Sequence, residues 1–530
     1  MRQRFTSLFN KPAFLVGLTA LLTALVVAPG ELGSIDTTRR LQTTRSFWTS
    51  APPVTPGDIG LVGRNGQLHY WFGLGHSLLM LPADILARGT LSFISRFREP
   101  PSWLGEETIV NYLCSTLVCT LAVLVCFHFL RILKFSENES ILGAFGLLFG
   151  TTFLHYTQNM QENNLLLLLS LTGFYFQYDW FRNGSTRSLF WGSLAFGANL
   201  LTRLTTGLDL VAGVVFISLC LWGERERRPA IWNRLIEYGR ISIPCYLACI
   251  AIDRLYQDYR FGSPFGTYLR IFGEQFRGKY PVTSPPGWPW STPFWEGFLG
   301  PLITPEKSIF LFDPLVVLTL VLTFFLWKHF DSDMKAYVIA MIWLLLSYIV
   351  FYARYYDWNG NSAWGDRFVT TPVQMLAIIS IPVLLRYRAS LKLWTSRLGK
   401  AIAAASVAIQ IASVFFWHPL ELRQMTTLGH PTFVIGLRFL NIIALATGMT
   451  DRWGLSNPST LSDTSTPLNT PYFFPFLVMR RGNASGWKLA LLISGWICLF
   501  ATLMGVVFLT RGRIRQSEES IKFRRSDHPL

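Results

Sequence analysis

The chain has 530 residues, of which 51% are hydrophobic and 15% charged, with a mean hydropathy of +0.34 and a formal net charge of +16. Apolar residues gathered into separate runs of about twenty exclude a soluble protein with several cores and point to an all-α, polytopic membrane protein. The positive charge lies between the apolar runs, which excludes nucleic acid as its reason and fits anionic headgroups and the positive-inside rule.

About twelve spans are expected, at 12–29, 108–130, 141–157, 164–181, 188–204, 208–222, 239–255, 309–327, 336–353, 368–385, 399–417 and 487–510. The first follows a basic start and resembles a signal peptide, but Ala28-Pro29-Gly30 is a poor cleavage site, so an uncleaved helix is expected. Segments 74–95 and 431–447 are apolar but interrupted, the first by Pro82, Asp84 and Arg88, and read as interfacial or re-entrant helices. All seven cysteines (Cys114, Cys119, Cys126, Cys220, Cys245, Cys249 and Cys498) fall in apolar segments, where they read as small buried residues.

Alternate connections are short and basic. They hold Arg2, Arg4 and Lys11, then Arg131 and Lys134, Arg182 and Arg187, Arg225, Arg227, Arg228 and Arg234, Lys328 and Lys335, Arg386, Arg388, Lys392 and Arg397, and finally Arg511, Arg513 and Arg515. This set is assigned to the cytoplasm, with both termini. The other set contains the long loops 30–107, 256–308 and 418–486, which translocate largely regardless of charge. The outer face therefore carries most of the aromatic, Gly and Pro residues. The stretch 454–472, rich in Ser, Thr, Asn and Pro, reads as an exposed loop.

Candidate chemistry follows the outer face. Asp36 lies just outside the first span in GSIDTTRR, followed by Arg39 and Arg40. A carboxylate and two guanidiniums at a lipid surface suggest a lipid-borne anionic substrate. In GRNGQLHYWFGLGHSLLMLP, Asn65-Gly66 predicts a hairpin turn, Gly73 and Gly75 permit close approach, and His69 and Tyr70 are polar contacts of a covering loop. Glu162 is the only charge in HYTQNMQENN, where it reads as a solvated helix cap or as a second site carboxylate. Arg203, embedded between apolar spans, needs a structural partner in Asp209 or Glu162, or serves a phosphate. Lys307 in GPLITPEKSIFLFDP reads as a phosphate contact or a snorkelling residue. Asp366 and Arg367 in WNGNSAWGDRFVTTP head straight into an apolar helix beside Trp358 and Trp364, and read as site residues or a membrane-boundary pair.

Taken in order, GSIDTTRR, GRNGQLHYWFGLGHSLLMLP, YRFGSPFGTY, GPLITPEKSIFLFDP and WNGNSAWGDRFVTTP resemble segments of the GT-C superfamily of membrane glycosyltransferases, within residues 12–390. The chain looks most like bacterial relatives of protein O-mannosyltransferases and lipid A aminoarabinose transferases. The resemblance implies a GT-C-like catalytic region at 1–390; residues 391–530 lie outside it and read, from hydropathy and charge, as a C-terminal membrane region with the outer loop 418–486 and a basic cytoplasmic tail at 511–530. It also implies a bacterial inner membrane, a polyprenyl-phosphate sugar donor, and a lipid, glycan or protein acceptor. Asp36 takes the place of the family's first-loop acidic residue and is the expected catalytic base of an inverting transfer. No acid sits two residues from it, so the segment departs from the family's paired carboxylates, and a divalent metal stays open as a cofactor. Arg39, Arg40, His69, Glu162, Arg203, Lys307, Asp366 and Arg367 are the expected substrate contacts, on chemical grounds. Other classes remain: a lipid-linked glycan polymerase or ligase, a transporter or flippase, and an inactive relative. A transporter should show repeat symmetry and midplane ionisable groups, whereas the polar residues here gather at outer helix ends.

Overall fold

The computed structural model describes residues 11–223, 228–277, 279, 283, 286–361, 363–417, 419–450, 470–484 and 486–526. Arg2, Arg4, Arg225, Arg227 and most of the 454–472 stretch lie outside these residues.

The chain is a multi-pass, almost wholly helical membrane protein. In order, α1 (Pro12–Val27) leads to α2 (Ile35–Ser46), a hairpin of β1 (Leu61–Val62) and β2 (Leu68–His69), α3 (Leu74–Ser95) and α4 (Glu106–Ile132). Then come α5 (Glu137–Gly150), α6 (Phe153–Asn159), α7 (Asn163–Asn183), α8 (Thr186–Thr202), α9 (Gly207–Gly223) and α10 (Arg228–Phe261). Next are α11 (Tyr268–Phe276), α12 (Phe294–Ile303), α13 (Pro314–Leu326), α14 (Ser332–Tyr352), α15 (Thr370–Ala377), α16 (Ser380–Arg386) and α17 (Leu393–Ser413). The C-terminal part adds α18 (Leu420–Leu428), α19 (Val434–Thr447), α20 (Phe474–Arg480) and α21 (Gly486–Ser526).

Among the described residues, six helical stretches are long and apolar enough to cross a membrane: Leu74–Ser95, Glu106–Ile132, Leu204–Gly223, Ile231–Phe261, Ser332–Tyr352 and Gly486–Gln516. Several expected spans are instead broken. The segment expected at 141–157 divides into α5 and α6 at Thr151-Thr152, and that at 368–385 into α15 and α16. The segment at 309–327 makes one turn, Ile309–Phe312, before restarting as α13 after Asp313. Freed backbone groups in an apolar bundle need polar partners. Asp313 Oδ1 accepts the Thr152 N–H at 2.7 Å, Gln374 donates to the Thr152 hydroxyl at 3.1 Å, and Thr319 donates to the Leu376 carbonyl at 2.9 Å. The breaks therefore support one another.

One continuous apolar core is drawn from α1, α4, α5, α7 to α9 and α13 to α16. The short basic connections meet at one end of it. There Lys134 pairs with Asp331 (3.3 Å) and Asp333 (3.2 Å), Arg182 with Asp333 (3.4 Å), Arg386 with Glu139 (3.2 Å) and Arg513 with Glu137 (3.0 Å). The long connections meet at the other end. The expected hairpin forms, with Gly66 at φ +74°, and Gln275 clasps both backbone groups of Val62 at 2.9 Å. Helix α3 is continuous through Pro82 and long enough to cross. Its Asp84 nevertheless accepts from Arg45 (3.3 Å) and Trp48 (3.1 Å), and its Arg88 pairs with Glu106 (3.2 Å), so it runs along the layer of long connections.

The C-terminal helices are part of the same body. Fully buried Arg438 forms a two-pronged pair with Glu421, both bonds 2.6 Å. Its third nitrogen donates to the carbonyls of Ser413 (2.8 Å) and Phe416 (3.0 Å), and its face lies 5.0 Å from the Trp364 ring. Breaking a buried pair leaves an uncompensated charge, so Arg438→Leu or Glu421→Leu alone should cost about 3–5 kcal/mol. The double variant should recover part of that loss, as read from thermal unfolding of the detergent-purified protein.

Candidate active site

Helix α2 places the first charges. Gly33, at φ +70°, brings the chain against Asn159, where a Cβ would lie 2.9 Å from Asn159 Oδ1. Asp36 then falls in the first helical turn, where a carboxylate suits the helix dipole. Arg40, four residues on, shares its face. Met160, in a left-handed conformation (φ 46°), lets the chain turn between α6 and α7 and present Glu162 at the start of α7. Arg203 ends α8 in extended backbone. Gly73 and Gly75 press against the same corner: a Cβ on Gly73 would sit 2.3 Å from the Thr202 carbonyl.

These residues meet. Arg40 donates to Glu162 Oε2 at 2.6 Å, and Arg203 Nε to Glu162 Oε1 at 3.0 Å. The partner of Arg203 is thus Glu162, while Asp209 accepts from Tyr348 at 3.0 Å. Arg367 Nη1 meets Asp36 Oδ2 at 3.3 Å, and its other terminal nitrogen approaches Asp357 at 3.8 Å. The Phe368 ring serves two guanidiniums, those of Arg203 (5.5 Å) and Arg367 (5.2 Å), and stacks on Tyr352 at 4.4 Å. Burial alone would raise the Glu162 carboxyl, but Arg40 and Arg203 outweigh it and hold the group at about 2.

Asp36, Arg40, Glu162, Arg203 and Arg367 line one cavity of about 530 Å³. Trp71, Phe72, Tyr268, Trp290, Tyr352 and Phe368 supply much of its apolar wall. Three further arginines, Arg254, Arg260 and Arg270, border it, so six guanidiniums face the three carboxylates of Asp36, Glu162 and Asp253. The sequence reading named none of this second group: Asp253 and Arg254 fall at the end of the expected span 239–255, and Arg260 and Arg270 in the long loop expected to follow it. The available signal was the stripe Asp253, Arg254, Gln257 and Arg260, which recurs at helical spacing on α10.

Four expected contacts lie elsewhere. Arg39 is bound two-pronged to Asp58 (2.8 and 2.6 Å), which also accepts from Tyr70 at 2.7 Å. Hydrogen bonding from Arg39 holds the Asp58 carboxyl well below the usual range, despite the opposing cost of its burial. His69 faces a separate cavity of about 940 Å³, beside Thr43, Ser46, Tyr256, Tyr259 and Arg260. Burial, with the charge of Arg260, lowers its pKa. Lys307 is buried with its ammonium donating to three carbonyls, of Asn361 (2.6 Å), Ala363 (2.8 Å) and Gly365 (3.3 Å). It organises the loop before Arg367 and does not border the cavity. Asp366 accepts the Phe368 N–H at 2.9 Å, and burial pushes its carboxyl upward.

That loop needs its glycines. Gly360 and Gly365 have φ +67° and +71°, and a Cβ on Gly360 would lie 2.6 Å from the Arg367 side chain. As for a divalent metal, no three His, Cys, Asp or Glu side chains converge among the described residues. Asp36 is engaged by Arg367 at 3.3 Å.

No family model matches the chain, and no curated protein does. Among solved structures the chain is similar to ArnT from Cupriavidus metallidurans bound to undecaprenyl phosphate, at 13% identity over 97% of this chain and 79% of that one, with a TM-score of 0.45. The apo state of ArnT from Cupriavidus metallidurans gives 14% identity, 96% and 76% coverage, and a TM-score of 0.44.

Glu162 carries a pH consequence. Its folded pKa lies below the roughly 4.3 of a free Glu, so its stabilisation is present above that value and is lost as pH falls toward about 2. Melting temperature should therefore drop steeply between about pH 4 and 2 in the native protein. Glu162→Gln should lose about 3–5 kcal/mol at neutral pH, through two unpaired guanidiniums, and show a flatter acid profile. Equal acid profiles for the two proteins would contradict the pairing.

Proposed function

We propose that the protein moves a sugar from a polyprenyl-phosphate-linked donor to an acceptor hydroxyl at the outer face of a cell membrane. One observation carries the reading: Asp36, Arg40, Arg203 and Arg367, far apart in sequence, line a single largely apolar cavity at the end of the bundle where the long loops meet. A concave apolar site with a few convergent charges suits a lipid-linked anionic substrate.

Asp36 is the general base. The acceptor O–H proton passes to its carboxylate as the oxygen bonds to the anomeric carbon. The bond from that carbon to the phosphate oxygen breaks, and the electron pair leaves with the polyprenyl phosphate. The configuration at the sugar inverts. Negative charge grows on the phosphate, where guanidinium forks can meet it two-pronged. Arg203, Arg367 and Arg40 fill that role. Glu162 holds two of them in place beforehand, so little reorganisation accompanies the reaction. Each fork has five N–H groups, and the buried Nε groups of Arg40 and Arg367 have no partner among the described residues.

The test is transfer of radiolabelled sugar from a panel of polyprenyl-phosphate sugars in membranes carrying native protein or variants. Asp36→Asn should reduce the rate by about 10²–10⁴-fold at unchanged folded levels. Arg367→Lys keeps the charge but loses the fork, and should also reduce the rate. Native-like transfer by Asp36→Asn would remove Asp36 as the base. Absence of transfer from every donor by folded native protein would sink the enzyme reading and favour a transporter or an inactive relative.

A further inference from the structure

Arg260 stands apart from the other arginines of the cavity. Arg40 and Arg203 share Glu162, Arg367 has Asp36 and Asp357, Arg254 has Asp253, and Arg270 has Glu274 at 2.7 Å. Among the described residues, no carboxylate lies within ion-pair distance of Arg260, although the residue is only 5% exposed. Its bonds go to neutral groups: the carbonyls of Tyr70 (2.7 Å) and Phe72 (2.9 Å) and the side-chain oxygen of Gln257 (2.9 Å). Its Nε–H is buried with no partner.

Those bonds give Arg260 a structural duty, since they tie α10 to the strand end that carries Trp71 and Phe72. They do not account for its charge. A buried guanidinium without a counter-ion is costly. The faces of Tyr256 (4.1 Å) and Phe261 (5.0 Å) offset only part of that. Arg260 also borders both cavities, the 530 Å³ site and the 940 Å³ space beyond it. Both cavities therefore abut this residue.

We infer that Arg260 is the centre of a second anion subsite, which takes a phosphate or carboxylate group other than the donor phosphate held by Arg203 and Arg367. This rests on the donor reading given above for the same cavity. The group has two sources. It can belong to the acceptor, entering through the larger cavity, or it can be the second phosphate of a lipid diphosphate. Either source delivers the same chemistry: an oxyanion that pairs with the guanidinium and neutralises it.

Equilibrium binding to the full-length protein in nanodiscs of phosphatidylcholine tests this. Native protein saturated with a polyprenyl monophosphate should still bind one equivalent of ³²P-labelled inorganic phosphate. Arg260→Gln should weaken that binding about 10- to 100-fold, the range for a charged hydrogen bond, with monophosphate affinity nearly unchanged. That result assigns the subsite to an anion borne by the acceptor. If instead a polyprenyl diphosphate binds native protein at least tenfold tighter than the monophosphate, and Arg260→Gln abolishes the gain, the second phosphate of the lipid is the occupant. Neither effect in native protein overturns the subsite, and that arm needs no variant to fold. Equal weakening of monophosphate and second-anion binding by Arg260→Gln would place Arg260 in the donor phosphate site and also overturn it. Should native protein bind no polyprenyl monophosphate, the donor reading fails. Inorganic phosphate alone then decides the subsite: binding lost in Arg260→Gln but kept in Arg260→Lys supports it, and no such difference sinks it.

Discussion

A single buried carboxylate shared by two guanidiniums organises the cavity end of this molecule. Glu162 joins the helix that follows the first span, through Arg40, to the end of α8, through Arg203. None of the three groups would be tolerated alone in so apolar a setting, because an unpaired buried charge costs several kcal/mol. Together they fix the distance between elements 41 and 122 residues apart in the chain. The Arg40 Nε–H is left without a partner among the described residues. The arrangement gains less as a source of net stability than as a constraint on geometry, because it admits few alternative registers.

The second constraint is the set of broken helices. An uninterrupted helix satisfies its own backbone and presents side chains only to its flanks. Breaks at Thr151-Thr152, at Asp313 and between α15 and α16 release backbone groups that must find partners, and side chains of the neighbouring broken segments supply them. The first break also lets α6 start afresh, so that His155, Gln158 and Asn159 turn inward. Gln158 then donates to three carbonyls, of Val27, Val414 and Tyr472, and ties the first span to the C-terminal region at the level of the site.

Much of this was legible in the residues. Apolar run length gave the membrane class, and basic residues sorted the connections into two groups that do meet at opposite ends of the bundle. Asn65-Gly66 marked the hairpin, and the embedded Arg203 announced a buried partner, with Glu162 among the two candidates named. Hydropathy could not reveal the breaks, because Thr, Ser and Asp in an apolar run alter its average little. It also could not separate Lys307 from Arg367. Both are cations near apolar helices, and only the loop path decides that one ammonium meets three carbonyls while one guanidinium meets the cavity. Arg260 was hidden for a different reason. The stripe Asp253, Arg254, Gln257 and Arg260 marked its helix face, but the carbonyls it binds lie about 190 positions away and leave no local sign.

The loop from Asp357 to Phe368 is where these constraints converge. Lys307 gathers its carbonyls from within, and Trp364 anchors it from outside. The Trp364 ring stacks on His155 at 5.7 Å and meets Phe312 at 5.0 Å and Arg438 at 5.0 Å, while its carbonyl accepts from Tyr156 at 3.2 Å. Arg367 follows three residues later with little freedom left, its stem against Gly360 and its head between Asp36 and Asp357. Positioning of this kind matters because a displacement of about 1 Å can cost roughly 10²-fold in rate. The C-terminal region, through Arg438 and Glu421, thereby acts on a cavity whose lining it does not enter. Two buried cations, Lys307 and Arg438, and the buried Trp364 thus stand behind the Arg367 guanidinium, all from the C-terminal half of the sequence, while its carboxylate partner Asp36 comes from the other half.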